Sequence, residues 1–242
     1  MLRNKILKAS GGTVPTEIID FGSAYDSGLE DTSVTLTVPV SYQTGDVLVM
    51  FHYAWDEDKG TVEITNVNDQ TVNSISPTNS YGVGLLSGTS VIGYYYTADS
   101  SGSSATVNLN FTTGNTPTEL YCAMYVLRGS STTHFARANQ TWTTGTSDAT
   151  ISYEDGVSAI VGFAAYRDST SNTDVPFTVT STVGTVDLET AKPIDPSLGE
   201  YNAGAVAFNL PYAQTEGSSS LTVTSDDSPT GTTWKSIMLF AF

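Results

Sequence analysis

Short segments of alternating apolar and polar residues recur along the whole chain, and they predict β-strands. Residues 33–38 alternate hydroxyl and apolar side chains, which is typical of a strand with one buried face. Residues 105–111 alternate in the same way. Few segments show the 3.6-residue period of an amphipathic helix, so we expect an all-β protein with very little helix.

Four longer apolar runs predict central strands that are covered on both faces. These runs are residues 47–54, 119–127, 157–166 and 234–242. Further strands are predicted at 17–21, 61–65, 90–98, 149–153, 177–182, 203–210 and 221–224. The total is about a dozen strands. Residues 66–88 are rich in turn residues and predict one weak strand and a long loop. Residues 130–147 predict a polar link between the halves, and residues 186–201 predict a loop that contains proline.

Similar blocks recur in the same order about 110 residues apart, which predicts an internal duplication. Residues 102–107 return as 217–223, and 120–126 return as 234–240. The halves are predicted at about 30–129 and 147–242. Each half could be an independent sandwich, or the halves could interleave as two Greek keys in one large jelly-roll-like β-sandwich. We favour the single sandwich, because it would bury the four apolar runs together.

Charge is distributed unevenly along the chain. The nine Lys and Arg residues and twenty-five Asp and Glu residues give a formal net charge of −16. Three of the basic residues lie within the first eight positions, so residues 9–242 hold six basic and twenty-five acidic groups, a net of −19. A body this acidic repels phosphates and anionic membranes, and we expect no nucleic-acid or membrane partner. The sequence shows no secretory signal and no apolar run long enough to span a membrane.

The basic N-terminal segment, residues 1–14, predicts a short extended docking arm. It is separated by Gly11-Gly12 and Pro15 from the predicted sandwich at 15–242. A segment this short gains order only by docking, and its cations favour an acidic neighbour. The alternative is a frayed terminus with incidental charges. The candidate docking residues are Leu2, Arg3, Lys5, Ile6, Leu7 and Lys8.

Catalytic or metal-binding chemistry finds little support in the sequence. His52 and His134 show no metal-ligand spacing, and Cys122 is expected to be a small buried residue in an apolar strand. The loop Asp56-Glu57-Asp58 carries the oxygen ligands that Ca²⁺ prefers but lacks the D-x-D-x-D-G pattern, so we expect a solvated loop. Asp226-Asp227 is a weaker candidate of the same kind.

Two further activities remain as alternatives to a structural role. A glycosidase needs two carboxylates facing each other, and Glu63 and Glu119 are the acids predicted on strands. Carbohydrate binding needs exposed aromatic side chains, and Trp55, Trp142 and Tyr81 lie in or near predicted loops. We expect no enzyme, no metal and no cofactor, with a carbohydrate- or receptor-binding module as the alternative.

The order of several motifs resembles that of β-sandwich structural proteins of tailed bacteriophages. The motifs are Gly45-Asp46-Val47-Leu48-Val49, then 93–98, then 123–129, a second apolar strand led by glycine, and a late Thr-Trp strand. The resemblance covers most of residues 30–242, and residues 1–7 resemble the leaders that anchor phage surface proteins. It implies a non-enzymatic virion protein that decorates the capsid or tail as a homo-oligomer. Its partners would be coat or tail subunits, or a host-surface glycan in the alternative of a fibre or adhesin module.

Overall fold

The described part of the chain consists of β-strands and the turns between them. The computed structural model describes residues 16–27, 33–55, 62–67, 70–71, 81–85, 89–111, 119–129, 136–142, 147–153, 159–168, 177–181, 187–193, 202–210, 217–225 and 233–242. Within these residues no helix is long and apolar enough to cross a membrane. The expectation of an all-β protein is confirmed for this part of the chain.

Seventeen strands are present among the described residues. The first nine are β1 (Glu17–Ser27), β2 (Ser33–Val38), β3 (Val47–Trp55), β4 (Val62–Val67), β5 (Gln70–Thr71), β6 (Tyr81–Leu85), β7 (Thr89–Thr97), β8 (Ala105–Phe111) and β9 (Glu119–Arg128). The others are β10 (Ala136–Trp142), β11 (Ser147–Tyr153), β12 (Ile160–Asp168), β13 (Phe177–Ser181), β14 (Asp187–Pro193), β15 (Asn202–Leu210), β16 (Gly217–Ser225) and β17 (Thr233–Ala241).

The strands form four antiparallel sheets, each drawn from one half of the chain. Sheet A has the order β1-β9-β3-β7-β6, and sheet B has the order β2-β8-β4-β5. Sheet C has the order β10-β17-β12-β15-β14, and sheet D has the order β11-β16-β13. When strands are matched in chain order, from β1 with β10 to β9 with β17, sheet A corresponds to sheet C and sheet B to sheet D. In this matching β5 has no counterpart among the described strands.

The first hydrophobic core lies between sheets A and B. Strand β2 buries alternate residues, as its sequence predicts, and exposes the hydroxyl residues between them. The apolar residues of β2 and β8 pack in one cluster with the even-numbered residues of β3 and β9. The cluster includes Val34, Leu36, Val38, Val107, Leu109, Leu48, Met50, Leu120, Cys122, Met124 and Val126. Sheets A and B therefore form a sandwich within the first half.

The second core joins the two halves through the other face of sheet A. It combines the odd-numbered residues of β3 and β9 with residues of β12, β15 and β17. The ring of Phe51 lies 5.8 Å from that of Phe163 and 5.1 Å from that of Phe240, between centroids. Tyr121 also stacks on Phe163, at 5.8 Å. Because sheet A has a core on each face, β3 and β9 are apolar at nearly every position.

Gly93 on β7 shows how closely the halves approach. A Cβ atom at this position would lie 2.6 Å from Met238 Sδ and 2.6 Å from Phe240 Cζ, both on β17. Such distances are well inside van der Waals contact, so the position requires glycine at this packing. The predicted burial of the central runs is confirmed for those of their side chains that the structure describes.

The arrangement of the halves differs from the predicted interleaving. Interleaved Greek keys would give a sheet with strands of both halves, and among the described strands no sheet is of this kind. The halves pack face to face because a sheet buried on both faces needs a second apolar layer, which sheet C supplies. The hydrogen-bonded groups also extend beyond the predicted boundaries, since β1 pairs with β9 and β10 pairs with β17.

Candidate functional site

The predicted docking arm joins the fold at one edge of sheet A. The docking residues Leu2, Arg3, Lys5, Ile6, Leu7 and Lys8 lie outside the described residues. The described chain begins at Thr16, which is buried, and passes directly into β1. In the described part β1 pairs only with β9. We call Thr16, Glu17, Asp46 and Arg128 the arm root.

An ion pair lies beside the first residue of β1. Glu17 is the register partner of Arg128, the last residue of β9. The Arg128 guanidinium donates from Nε to Asp46 Oδ1 at 2.9 Å and from Nη2 to Asp46 Oδ2 at 2.8 Å. The side chain of Asp46 is 3% exposed and that of Arg128 is 45% exposed. Two parallel hydrogen bonds fix the relative orientation of the groups, so the start of β3 is tied to the end of β9.

The local backbone explains why Asp46 points towards Arg128. Gly45 has a φ of 92°, a left-handed conformation that glycine adopts without strain. The turn is closed by the Asp46 N–H, which donates to the Gln43 carbonyl at 3.0 Å. In return the Gln43 N–H donates to Asp46 Oδ2 at 2.7 Å. The Ala98 N–H donates to the Asp46 carbonyl at 2.7 Å, which joins the turn to the end of β7.

Electrostatics keep the Asp46 carboxylate charged. The hydrogen bonds from Arg128 hold its pKa below the usual carboxyl range, against the opposing effect of burial. The same pairing raises the pKa of Arg128. Both Asp46 oxygens accept hydrogen bonds, and one accepts two. Both oxygens of the Asp46 carboxylate are therefore used in hydrogen bonds that hold the arm root together.

Strand β1 is held along its whole length. Its ladder with β9 runs from Glu17 opposite Arg128 to Ser27 opposite Glu119, with an irregularity between Ile18 and Asp20. The Asp20 carboxylate accepts hydrogen bonds from the Ser41 N–H at 2.6 Å and from the Phe21 N–H at 2.9 Å. The bond from Ser41 links β1 to the segment that follows β2, whereas the bond from Phe21 lies within β1 itself.

Aromatic packing adds to the attachment of β1. The Phe21 ring lies 4.8 Å from that of Tyr125, between centroids. Phe21 and Tyr25 pack against the core between sheets A and C. Gly22 passes close to the Pro39 carbonyl and Val40, where a Cβ atom would collide with both. The edge strand β1 is therefore bound to sheet A by its ladder of backbone hydrogen bonds with β9 and by ring packing.

The two side chains with potential reactivity in the core are held neutral. His52 on β3 is fully buried and lies opposite Cys122 on β9. Its ring stacks on that of Tyr94 at a centroid distance of 5.8 Å. Burial lowers the pKa of His52 to about 3 and raises that of the Cys122 thiol. Cys122 is the small buried residue that its apolar surroundings predict.

The other candidates of the sequence are placed only in part. His134, Asp56-Glu57-Asp58 and Asp226-Asp227 lie outside the described residues. Glu63 lies on β4 of sheet B and Glu119 on β9 of sheet A, so the two strand acids belong to different sheets. Among the described residues, no three His, Cys, Asp or Glu side chains form a group that could hold a metal ion.

The aromatic candidates lie at the ends of strands. Trp55 is the last residue of β3, Trp142 is the last residue of β10, and Tyr81 is the first residue of β6. Tyr81 pairs with Gly93 on sheet A, whereas Trp142 pairs with Lys235 on sheet C. Their strands thus place them on two sheets.

Two charged residues of the arm root were visible in the sequence, but their pairing was not. Asp46 stands just before a central strand and Arg128 just after another, and charges at such positions are usually solvated. Antiparallel pairing of β3 with β9 brings them together across 82 positions of sequence. No family model matches this chain, and no curated protein sequence matches it significantly.

Proposed function

We propose that this chain is a non-enzymatic structural protein of a tailed-phage virion, which decorates the capsid or tail and docks through its N-terminal arm. The observation that carries the proposal is the construction of the arm root. The strand that continues into the arm is locked into sheet A by the β1–β9 ladder and adjoins the Asp46–Arg128 ion pair. An anchored edge strand suits a protein whose neighbours pull on its terminus.

Charge supports docking onto an acidic neighbour. The arm carries Arg3, Lys5 and Lys8 and no acidic residue, whereas residues 9–242 have a net charge of −19. Attraction between opposite charges steers association, and added salt weakens that attraction. The apolar residues Leu2, Ile6 and Leu7 would each contribute about 1.5–3 kcal/mol if fully buried in a groove of the partner. Coat or tail subunits, and further copies of this chain on the particle, are the proposed partners.

We further propose that the two halves arose by internal duplication and form one folding unit. The matching strand orders of sheets A and C, and of sheets B and D, support a common origin. The shared core between sheets A and C supports a single unit, because Phe51, Tyr121 and Phe163 lose their packing if the halves separate. Such a unit would present rigid faces to its neighbours on a particle.

Deletion of residues 1–12 tests the docking role. The deletion should leave the melting curve unchanged, because β1 and the arm root remain, and it should abolish incorporation into the particle. Replacing Arg3, Lys5 and Lys8 with Gln should weaken incorporation most at low salt. Replacing Leu2, Ile6 and Leu7 with Ser should weaken it at all salt concentrations.

A matched control comes from a basic residue of the body. Lys59→Gln removes one positive charge outside the arm and should leave incorporation unchanged. If the protein without residues 1–12 incorporates at wild-type occupancy, the arm does not dock and the attachment surface lies on the sheets. Binding of the intact chain to a host glycan, together with its absence from particles, would favour the carbohydrate- or receptor-binding alternative.

A further inference from the structure

Four side chains with soft donor atoms lie on one face of sheet A. The chain has one Cys, two His and four Met residues. Met50 and His52 lie two residues apart on β3, opposite Met124 and Cys122 on β9. Met50, Met124 and Cys122 belong to the core between sheets A and B. His52 shares the face of Met50 by strand alternation, and its ring stacks on Tyr94 of the same core.

Register makes these four residues neighbours on one face of sheet A. Met50 is directly opposite Met124, and His52 is directly opposite Cys122. Directly opposed residues of an antiparallel pair have Cβ atoms about 4.5–5.5 Å apart. Successive residues on the same face of a strand are about 7 Å apart. A thiol, an imidazole and two thioethers thus occupy the corners of one small patch.

The imidazole of His52 lacks the partners that a buried polar group requires. Nδ1 and Nε2 of His52 are both inaccessible to solvent, and neither has a hydrogen-bond partner. A neutral imidazole carries one N–H and one lone pair, so at least one nitrogen is available as a metal ligand. Unpaired polar groups in a core reduce stability, and each one calls for an explanation. In the register, the thiol of Cys122 lies opposite His52, and the thioethers of Met50 and Met124 form the next pair on the same face.

We propose that Met50, His52, Cys122 and Met124 form a buried site for a soft monovalent metal ion, copper(I). Thiolate and thioether sulfur favour copper(I) over harder ions, and imidazole also suits copper. Zinc sites in proteins use Cys, His and carboxylate ligands rather than Met. The ion uses Cys122 Sγ as its anionic ligand and a nitrogen of His52 as its neutral ligand. The two thioethers complete the set.

Charge balance also favours a monovalent ion in this core. On binding, the S–H bond of Cys122 breaks, an S–Cu bond forms, and the proton passes to solvent without any change in the oxidation state of copper. The thiolate and the copper(I) ion together have no net charge, whereas a divalent ion would leave one positive charge in the core. An uncompensated charge is costly in such surroundings. Because a proton is displaced, binding weakens as pH falls.

Loading must precede closure of the first sandwich. His52, Cys122 and Met124 are 0% exposed and Met50 is 2% exposed. The ion therefore enters while sheets A and B are still apart. The experiment is to refold the full chain from urea without oxygen, in the presence of copper(I), and to remove loosely bound ion with the copper(I) chelator bathocuproine disulfonate.

The refolded protein should retain one copper per chain, with sulfur and nitrogen ligands in X-ray absorption spectra, and should melt at a higher temperature than the protein refolded without copper. Cys122→Ser should retain no copper. His52→Phe and Met50→Leu should each weaken retention against the chelator. Met238→Leu is the matched control, because Met238 lies in the core between sheets A and C, and it should bind copper as the wild type does.

Three outcomes would overturn the site. The wild type could retain no copper after refolding. Copper could depend on Cys122 alone, with His52→Phe and Met50→Leu unchanged, which would indicate a simple thiol adduct. Zinc could raise the melting temperature as much as copper through the same residues, which would refute the assignment to a soft monovalent ion. Circular dichroism of each variant establishes that it folds before its copper content is compared.

Discussion

A single methyl group at position 93 should disturb the contact between the two halves. Gly93 belongs to β7 of the first half and faces Met238 and Phe240 on β17 of the second half. In Gly93→Ala the new Cβ would lie 2.6 Å from Met238 Sδ and 2.6 Å from Phe240 Cζ. The thioether can move aside, but the aromatic ring is confined by Phe51 and Tyr95. The sheets must therefore separate slightly or the ring must leave its position.

The expected cost follows from the size of the clash. Overpacking a well-packed core costs about 1–3 kcal/mol. For a chain of this size, 1 kcal/mol lowers the melting temperature by about 2–4 °C, so Gly93→Ala should melt about 2–12 °C lower than the wild type. Phe240→Leu removes the ring atoms that the new methyl group meets. The double variant should therefore be more stable than the sum of the single effects predicts.

Urea unfolding of the wild type, both single variants and the double variant measures the coupling energy, which is the difference between the effect of the double variant and the sum of the two single effects. The control pair is Gly93→Ala with Leu109→Ala, because Leu109 lies in the core between sheets A and B. This pair should be additive within about 0.5 kcal/mol. An unchanged melting temperature in Gly93→Ala, or no coupling with Phe240→Leu, would refute the packing of sheet A on sheet C.

Three further predictions test other parts of the structure. Burial lowers the pKa of His52 to about 3, so between pH 7 and pH 5 the unfolded chain takes up a proton at this residue and the folded protein does not. Lowering the pH from 7 to 5 should therefore reduce the free energy of unfolding by about 2 kcal/mol, measured by urea unfolding. His52→Phe should remove that loss. Asp46→Asn should lower the melting temperature at pH 7, and the difference from wild type should shrink as pH falls below the ordinary carboxyl pKa, because Arg128 lowers the pKa of Asp46 in the folded state. Residues 30–130 alone should be insoluble or unfolded, because Phe51 and its neighbours lose sheet C; a cooperative thermal transition of this fragment would contradict a shared core.

The central strands were predictable because burial leaves a strong sequence signal. Residues 33–38 and 105–111 were predicted with the bounds that β2 and β8 have. The apolar runs that became β3, β9, β12 and β17 were also predicted, within three residues at each end. Each of these strands pairs with two neighbours in its sheet, and β3 and β9 also have a hydrophobic core on each face. Nearly every position in such a strand therefore favours an apolar side chain.

The strands that the sequence did not predict lie at sheet edges. The polar link at 130–147 contains β10, and the proline-containing loop at 186–201 contains β14. These are the two edge strands of sheet C, and each pairs with one neighbour among the described residues. An edge strand needs one ladder of hydrogen bonds, tolerates polar residues and accepts Pro193 at its end. Periodicity therefore carries little information there.

The arm root was beyond sequence reasoning for a different reason. Asp46 and Arg128 each look like ordinary turn charges, and their ion pair depends on the register of β3 with β9. The pairing of His52 with Cys122 depends on the same register. Register is set by the packing of both faces of sheet A, which no local pattern encodes. The sequence therefore showed the four residues Asp46, Arg128, His52 and Cys122, but not which of them lie opposite or bind one another.

The content of purified particles tests the proposed function most directly. Particles from cells that produce this chain would be purified on a density gradient, and the chain would be quantified by mass spectrometry relative to the major coat protein. We expect the chain to co-purify at a fixed ratio to the coat protein, and to be lost from particles when residues 1–12 are deleted. Absence of the intact chain from particles, or a trace amount that varies between preparations, would contradict a role as a virion protein.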